Sequence, residues 1–190
     1  VSLGVWKYGS MGVTQSTIIG RVWKYGDGVN TDVIFPGKYT YTLREPSEIA
    51  AHALEDLDPG FAAQAQPGDI VVAGRNWGNG SSREQAVTCL KYKSIAAVVA
   101  KSFARIYFRN GINQGLLLIT CPEAVDAAQA GDRMEIDLTH SLIRLASRGR
   151  ECAFAPLSPT ALDIIEAGGL VPHLRRKLGL SSTADAPMTG

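Results

Sequence analysis

The chain has no Cys-x-x-Cys pair and only three cysteines, Cys89, Cys121 and Cys152, widely spaced and odd in number. Without such a pair, a self-contained zinc or iron–sulfur site is not expected, and no metal is assigned to this chain. The sequence also lacks an apolar run long enough to span a bilayer, and no charged–apolar–small signal opens it. No membrane partner is expected, and the cytoplasm is the expected compartment. An excess of one charge is missing too. The 19 basic and 18 acidic residues leave a formal net charge of +1, which gives no electrostatic ground for a nucleic-acid partner. The histidines, His52, His140 and His173, have no neighbours that form a metal or acid–base set. What is present is an apolar share of 45% over 190 residues, enough for one globular domain with a real core.

The most informative stretch is Gly74-Arg75-Asn76-Trp77-Gly78-Asn79-Gly80-Ser81-Ser82-Arg83-Glu84. It follows Asp69–Ala73, an apolar run that reads as a buried strand, and precedes Glu84–Tyr92, which reads as a helix. Two serines and an arginine thus fall where a strand turns into a helix N-terminus. Free backbone N–H groups and the helix dipole favour negative charge there, so the loop suits a carboxylate, a phosphate or an alkoxide. A plainer reading stands beside this one: Ser82, with Glu84 and Gln85 nearby, caps the helix. A P-loop is excluded because no Lys-Ser or Lys-Thr pair follows the glycines. A dinucleotide fingerprint fits poorly because Arg83 occupies the third glycine position.

Val5-Trp6-Lys7-Tyr8-Gly9 recurs as Val22-Trp23-Lys24-Tyr25-Gly26, but two copies of a pentapeptide do not make a repeat architecture. Residues 1–16 read as an N-terminal extension, with Met11 a candidate native start, residues 17–179 as one domain, and residues 180–190 as a flexible tail. Within the domain, strands are predicted at 18–25, 69–73, 95–100 and 116–120. Helices are predicted at 46–54, at 84–92, from Phe103 to near Gly111, and at 123–129. Residues 27–38 read as a long loop. From Met134 the pattern changes to short, turn-separated strands at 134–138, 142–145 and 151–154, and two helices follow at 158–167 and 170–178. Strands alternating with helices, then a small meander, predict an α/β fold with a mixed sheet.

Other segments now join the glycine loop. Gly26–Tyr39 carries a Thr-Asp pair, Thr31-Asp32, before an aliphatic–proline turn. Lys101-Ser102-Phe103-Ala104-Arg105-Ile106, Asn110-Gly111-Ile112-Asn113-Gln114-Gly115-Leu116 and Glu166-Ala167-Gly168-Gly169-Leu170-Val171-Pro172 follow in order. Together they resemble the small subunits of 3-isopropylmalate dehydratase, free-standing versions of the aconitase swivelling domain, over Ile18 to Gly179. The resemblance implies a swivelling β/β/α domain whose mixed sheet is flanked by helices. It also implies half of a hydro-lyase, inactive without a large subunit whose three cysteines hold a 4Fe–4S cluster, with no cluster bound by this chain.

In that family the first serine of the pair is the base that moves a proton at carbon, a role that falls on Ser81. Ser82 and Arg83 would hold a substrate carboxylate, with the arginine offering a two-point fit. Asp32 would lie near the active site, against the plainer reading of an Asx-turn. Arg44 would reach the variable end of the substrate, against that of a solvated charge. Gly78, Asn79 and Gly80 would supply loop backbone. Lys101 and Arg105 read as structural or interfacial. The family loop runs Asn-Phe-Gly-Cys-Gly-Ser-Ser-Arg-Glu-His; here Trp77, Asn79 and Gln85 replace its Phe, Cys and His, and Gln85 removes a titratable group. The implied substrate is a small hydroxy diacid, 3-isopropylmalate/2-isopropylmalate of leucine biosynthesis. Homoaconitate, a methylated malate or a citraconate-type diacid is the alternative, and a non-catalytic diacid-binding or scaffold module is the reading from another class.

Overall fold

Seven strands form one mixed sheet in a computed structural model that describes residues 17–180; the expected extension at 1–16 and the tail beyond Leu180 lie outside the described residues. In chain order the strands are β1 (Thr17–Lys24), β2 (Ile70–Ala73), β3 (Ala97–Ala100), β4 (Leu117–Thr120), β5 (Arg133–Asp137), β6 (Leu142–Leu145) and β7 (Arg150–Ala153). Their spatial order is β4-β3-β2-β1-β5-β6-β7, parallel from β1 through β4 and antiparallel from β1 through β7. The helices are α1 (Thr31–Ile34), α2 (Pro46–Ala51), α3 (Phe61–Gln64), α4 (Gln85–Tyr92), α5 (Arg105–Gln114), α6 (Pro122–Ala127), α7 (Pro159–Glu166) and α8 (Leu170–Lys177).

The strand chemistry explains the layering. Every residue of β2 and β3 is buried, as parallel strands covered on both faces require, whereas β6 alternates buried and half-buried positions. Successive side chains point to opposite faces. Val71, Ala73, Val98 and Ala100 therefore share a core with Leu54, Phe61 and Leu90, on the side of α2, α3 and α4. Ile70, Val72, Val99 and Ile119 share a second core with Val125 of α6 and with Ile18, Met134, Ile136 and Ile143 of the antiparallel half. The sheet is curled, so the antiparallel strands and the opposite edge enclose one apolar layer.

The predicted α/β class and mixed sheet match this architecture. Three local readings change. Helix α5 runs through Gly111 to Gln114 and stops at Gly115, whose backbone is left-handed. Gly111 is a contact surface rather than a terminator: a Cβ there would stand 2.4 Å from Leu118 Cδ1. The predicted loop at 27–38 contains α1, capped by Asn30 Oδ1, which accepts from Val33 N at 2.9 Å. The short α3, anchored by buried Phe61, was not predicted at all.

Asp137 ties the β5–β6 turn. Its Oδ1 accepts from His140 N at 3.0 Å, and its Oδ2 lies 2.8 Å from His140 Nδ1 and 3.4 Å from Arg144 Nη1. The His140 amide, then the His140 ring, hold the carboxyl down from 3.8 to about 2. A carboxyl depressed on folding contributes stability above its unfolded pKa and loses it as pH falls through the folded value. Asp137→Asn is therefore expected to lower Tm at pH 7, with the gap to the natural chain closing between about pH 4 and pH 2. Thermal melts across that range check it, and a gap that stays constant would contradict it.

Candidate active site

The chain leaves β2 at Ala73 and runs on between two neighbouring segments, bridged edge-on to both. On one side Arg75 N donates to Asp27 Oδ1 (2.6 Å), Gly28 N to Arg75 O (2.8 Å), Gly78 N to Val29 O (2.8 Å) and Thr31 N to Asn79 O (2.8 Å). On the other, Asn76 N donates to Ser102 Oγ (2.9 Å), Trp77 N to Ser102 O (3.0 Å) and Ala104 N to Trp77 O (2.9 Å). Trp77 is fully buried, stacked with Tyr25 and edge-on to Tyr107, so the loop is nailed into the first core. Asn79 Nδ2 closes the turn onto Asn76 O at 2.9 Å. Asn79 thus serves as a turn clamp.

Beyond this anchored part the functional groups emerge. The Ser81 carbonyl accepts from Thr31 Oγ1 at 2.7 Å and from Arg83 N at 2.9 Å. Its side chain is exposed, and among the described residues no group hydrogen-bonds to its hydroxyl. Ser82 Oγ accepts from Asn110 Nδ2 at 3.4 Å. Arg83 Nη1 forms an ion pair with Asp32 Oδ1, with the guanidinium-bearing side chain 26% exposed and the aspartate 52%.

Ser81, Ser82 and Arg83 line one open pocket of about 240 Å³ with Gly78, Gly80, Thr31 and the start of α5, including Arg105, Ile106 and Asn110. Asp32 joins this group through Arg83. Arg44 does not line that pocket. It lines a neighbouring one of about 380 Å³ with Thr40, Tyr41, Glu84 and Gln85. Gln85 lines this second pocket only, its Nε2 donating to Thr40 O at 3.3 Å.

The helix-cap reading of Ser82 is not what the structure contains. Helix α4 starts at Gln85 with Glu84 as its cap residue, and no side chain caps it. Glu84 instead accepts from Gln114 Nε2 at 2.6 Å. Arg105, Ile106 and Asn110 were not singled out as site residues. The available signal is topological: β2 and β3 are adjacent and parallel, so the segments that follow them emerge on the same side.

One further ionisable group, Tyr107, lines the pocket and is held by the core. It is buried, donates to Ala86 O at 3.1 Å, and its phenol is pushed far above its ordinary value by burial. The cysteines do not fit an iron–sulfur cluster. Cys89 lies in the first core and Cys121 and Cys152 in the second, and burial pushes each thiol upward, away from the thiolate a cluster requires. Among the described residues no three His, Cys, Asp or Glu gather in a metal-binding arrangement.

The Aconitase C-terminal domain family matches residues 34–124, which hold the loop and strands β2 to β4. The chain is 47% identical over 165 residues to the 3-isopropylmalate dehydratase small subunit of Aquifex aeolicus, covering 86% of this chain and 98% of that one. It is 44% identical over 163 residues to that of Thermodesulfovibrio yellowstonii, covering 86% and 96%. The crystal structure of 3-isopropylmalate dehydratase from Methanocaldococcus jannaschii superposes with a TM-score of 0.81 at 41% identity, over 89% of this chain and 99% of that one.

Proposed function

The chain belongs to the 3-isopropylmalate dehydratase small-subunit family and is thus a subunit of a hydro-lyase, and from that premise we propose that its Ser81–Arg83 pocket is the proton-transfer half of the active site. The substrate in this reading is the one its relatives are named for, 3-isopropylmalate, interconverted with 2-isopropylmalate through loss and return of water in leucine biosynthesis. The observation that carries the reading is the Ser81 hydroxyl, free of protein partners among the described residues and in one pocket with Ser82 and the Arg83 guanidinium.

Ser81 Oγ takes the proton from the carbon beside a substrate carboxylate and returns it after the alkene re-seats. A serine alkoxide needs positive potential, which in this chain comes from Arg83 and the N-terminal dipole of α4. Arg83 and Ser82 hold the carboxylate, and the Asp32 ion pair supports a positioning role for Asp32 on Arg83. The partner in this reading is a large subunit whose 4Fe–4S cluster would supply a Lewis acid toward the substrate hydroxyl. The misfit of the three buried cysteines supports assigning that cluster to the partner.

The test is turnover of the assembled enzyme on a panel of hydroxy diacids. Preference for isopropylmalate is expected. Preference for homoaconitate, a methylated malate or a citraconate-type diacid would keep the chemistry and reassign the substrate, and assembly without turnover on any of them would favour a non-catalytic module. Arg44, in the adjoining pocket, is proposed to select the substrate's variable end. Arg44→Ala is expected to change the ratio of kcat/KM between diacids by about tenfold or more while sparing the best rate. A uniform drop across the panel would contradict that role.

A further inference from the structure

We infer that Arg105 is the second guanidinium of the substrate site and binds the carboxylate that Arg83 does not hold, an inference that rests on the diacid reading above. Arg105 lines the same pocket as Ser81, Ser82 and Arg83. It is the first residue of α5, and the amide just before it, Ala104 N, donates to Trp77 O, so its backbone is fixed to the site loop itself.

The charge balance of the pocket singles it out. The ionisable side chains that could bind an anion there are Arg83 and Arg105, and no carboxylate lines the pocket. Arg83 is already paired with Asp32 through Nη1, so part of its fork is occupied. Among the described residues Arg105 has no ion pair and no side-chain hydrogen bond, and its side chain is exposed. A diacid brings two negative charges, and a single guanidinium shared with an aspartate does not match them. An unpaired arginine facing the same space does, with a planar fork suited to a carboxylate.

An interfacial role is the competitor, and assembly separates the two. The test uses the complete two-subunit enzyme with the natural chain, Arg105→Ala and Arg105→Lys. Calorimetry reads binding of succinate, a diacid with no hydroxyl to lose, and kinetics read kcat and KM on the preferred hydroxy diacid. Arg105→Ala is expected to weaken succinate binding and raise KM by about tenfold to a hundredfold, with kcat and subunit affinity little changed. Arg105→Lys should recover part of the loss, since charge returns without the fork. Unchanged succinate binding in Arg105→Ala would overturn the inference, as would a loss that tracks weakened subunit assembly. If the natural enzyme binds no diacid at all, the diacid reading falls first, and the Arg105 role falls with it.

Discussion

Ser81→Ala, assembled with the large subunit, is expected to lose about a hundredfold to ten-thousandfold in kcat while folding and assembling as the natural chain does. The structural work of residue 81 is done by its carbonyl, which accepts from Thr31 Oγ1 and Arg83 N. Alanine keeps that carbonyl. The hydroxyl is exposed and makes no hydrogen bond among the described residues, so its removal opens no cavity and strands no partner. A deficit in kcat would then report lost proton transfer rather than lost structure. Steady-state kinetics alongside a thermal melt and a sedimentation profile separate the two. Near-normal turnover would remove Ser81 as the base.

The second large effect is on the scaffold. Gly78→Ala is expected to destabilise the domain by about 2–5 kcal/mol and to displace the site loop. Gly78 has φ of +76°, and a Cβ there would lie 2.1 Å from Tyr107 Cγ. The left-handed backbone alone costs a non-glycine residue about 1–2 kcal/mol. Forcing a methyl into a packed core adds about 1–3 kcal/mol. Relief is blocked on the far side because Tyr107 is buried and its hydroxyl is engaged by Ala86 O. Against a total stability of about 5–15 kcal/mol, such a loss is large. Urea denaturation measures it, and an unchanged midpoint with an unchanged slope would contradict it.

The two variants probe features that differ in how visible they were in the sequence. The parallel strands were legible because strands buried on both faces read as unbroken apolar runs, as in Ile70–Ala73 and Ala97–Ala100. The antiparallel half was legible through its short, turn-separated strands. The Gly74–Glu84 loop declared itself by glycines and serines between a strand and a helix. What stayed hidden depends on contacts far apart in the chain. The Asp32–Arg83 ion pair exists because β1 and β2 are parallel neighbours, which brings their C-terminal loops side by side. Arg105 and Asn110 enter the pocket through the β2–β3 adjacency. Arg44 falls in a neighbouring pocket because residues 37–44 coil through a 3-10 turn and further tight turns, a path that no periodicity encodes.

If this chain contributes an obligatory half of one active site, a titration of one subunit with the other will show it. Increasing amounts of the purified chain are added under anaerobic conditions to a fixed amount of cluster-loaded large subunit, and alkene formation from isopropylmalate is followed in the ultraviolet. No turnover is expected from either subunit alone, and activity should rise with added chain to a plateau at a fixed subunit ratio. Full turnover by the large subunit without this chain, or a stable assembly that never gains activity on any hydroxy diacid, would contradict it.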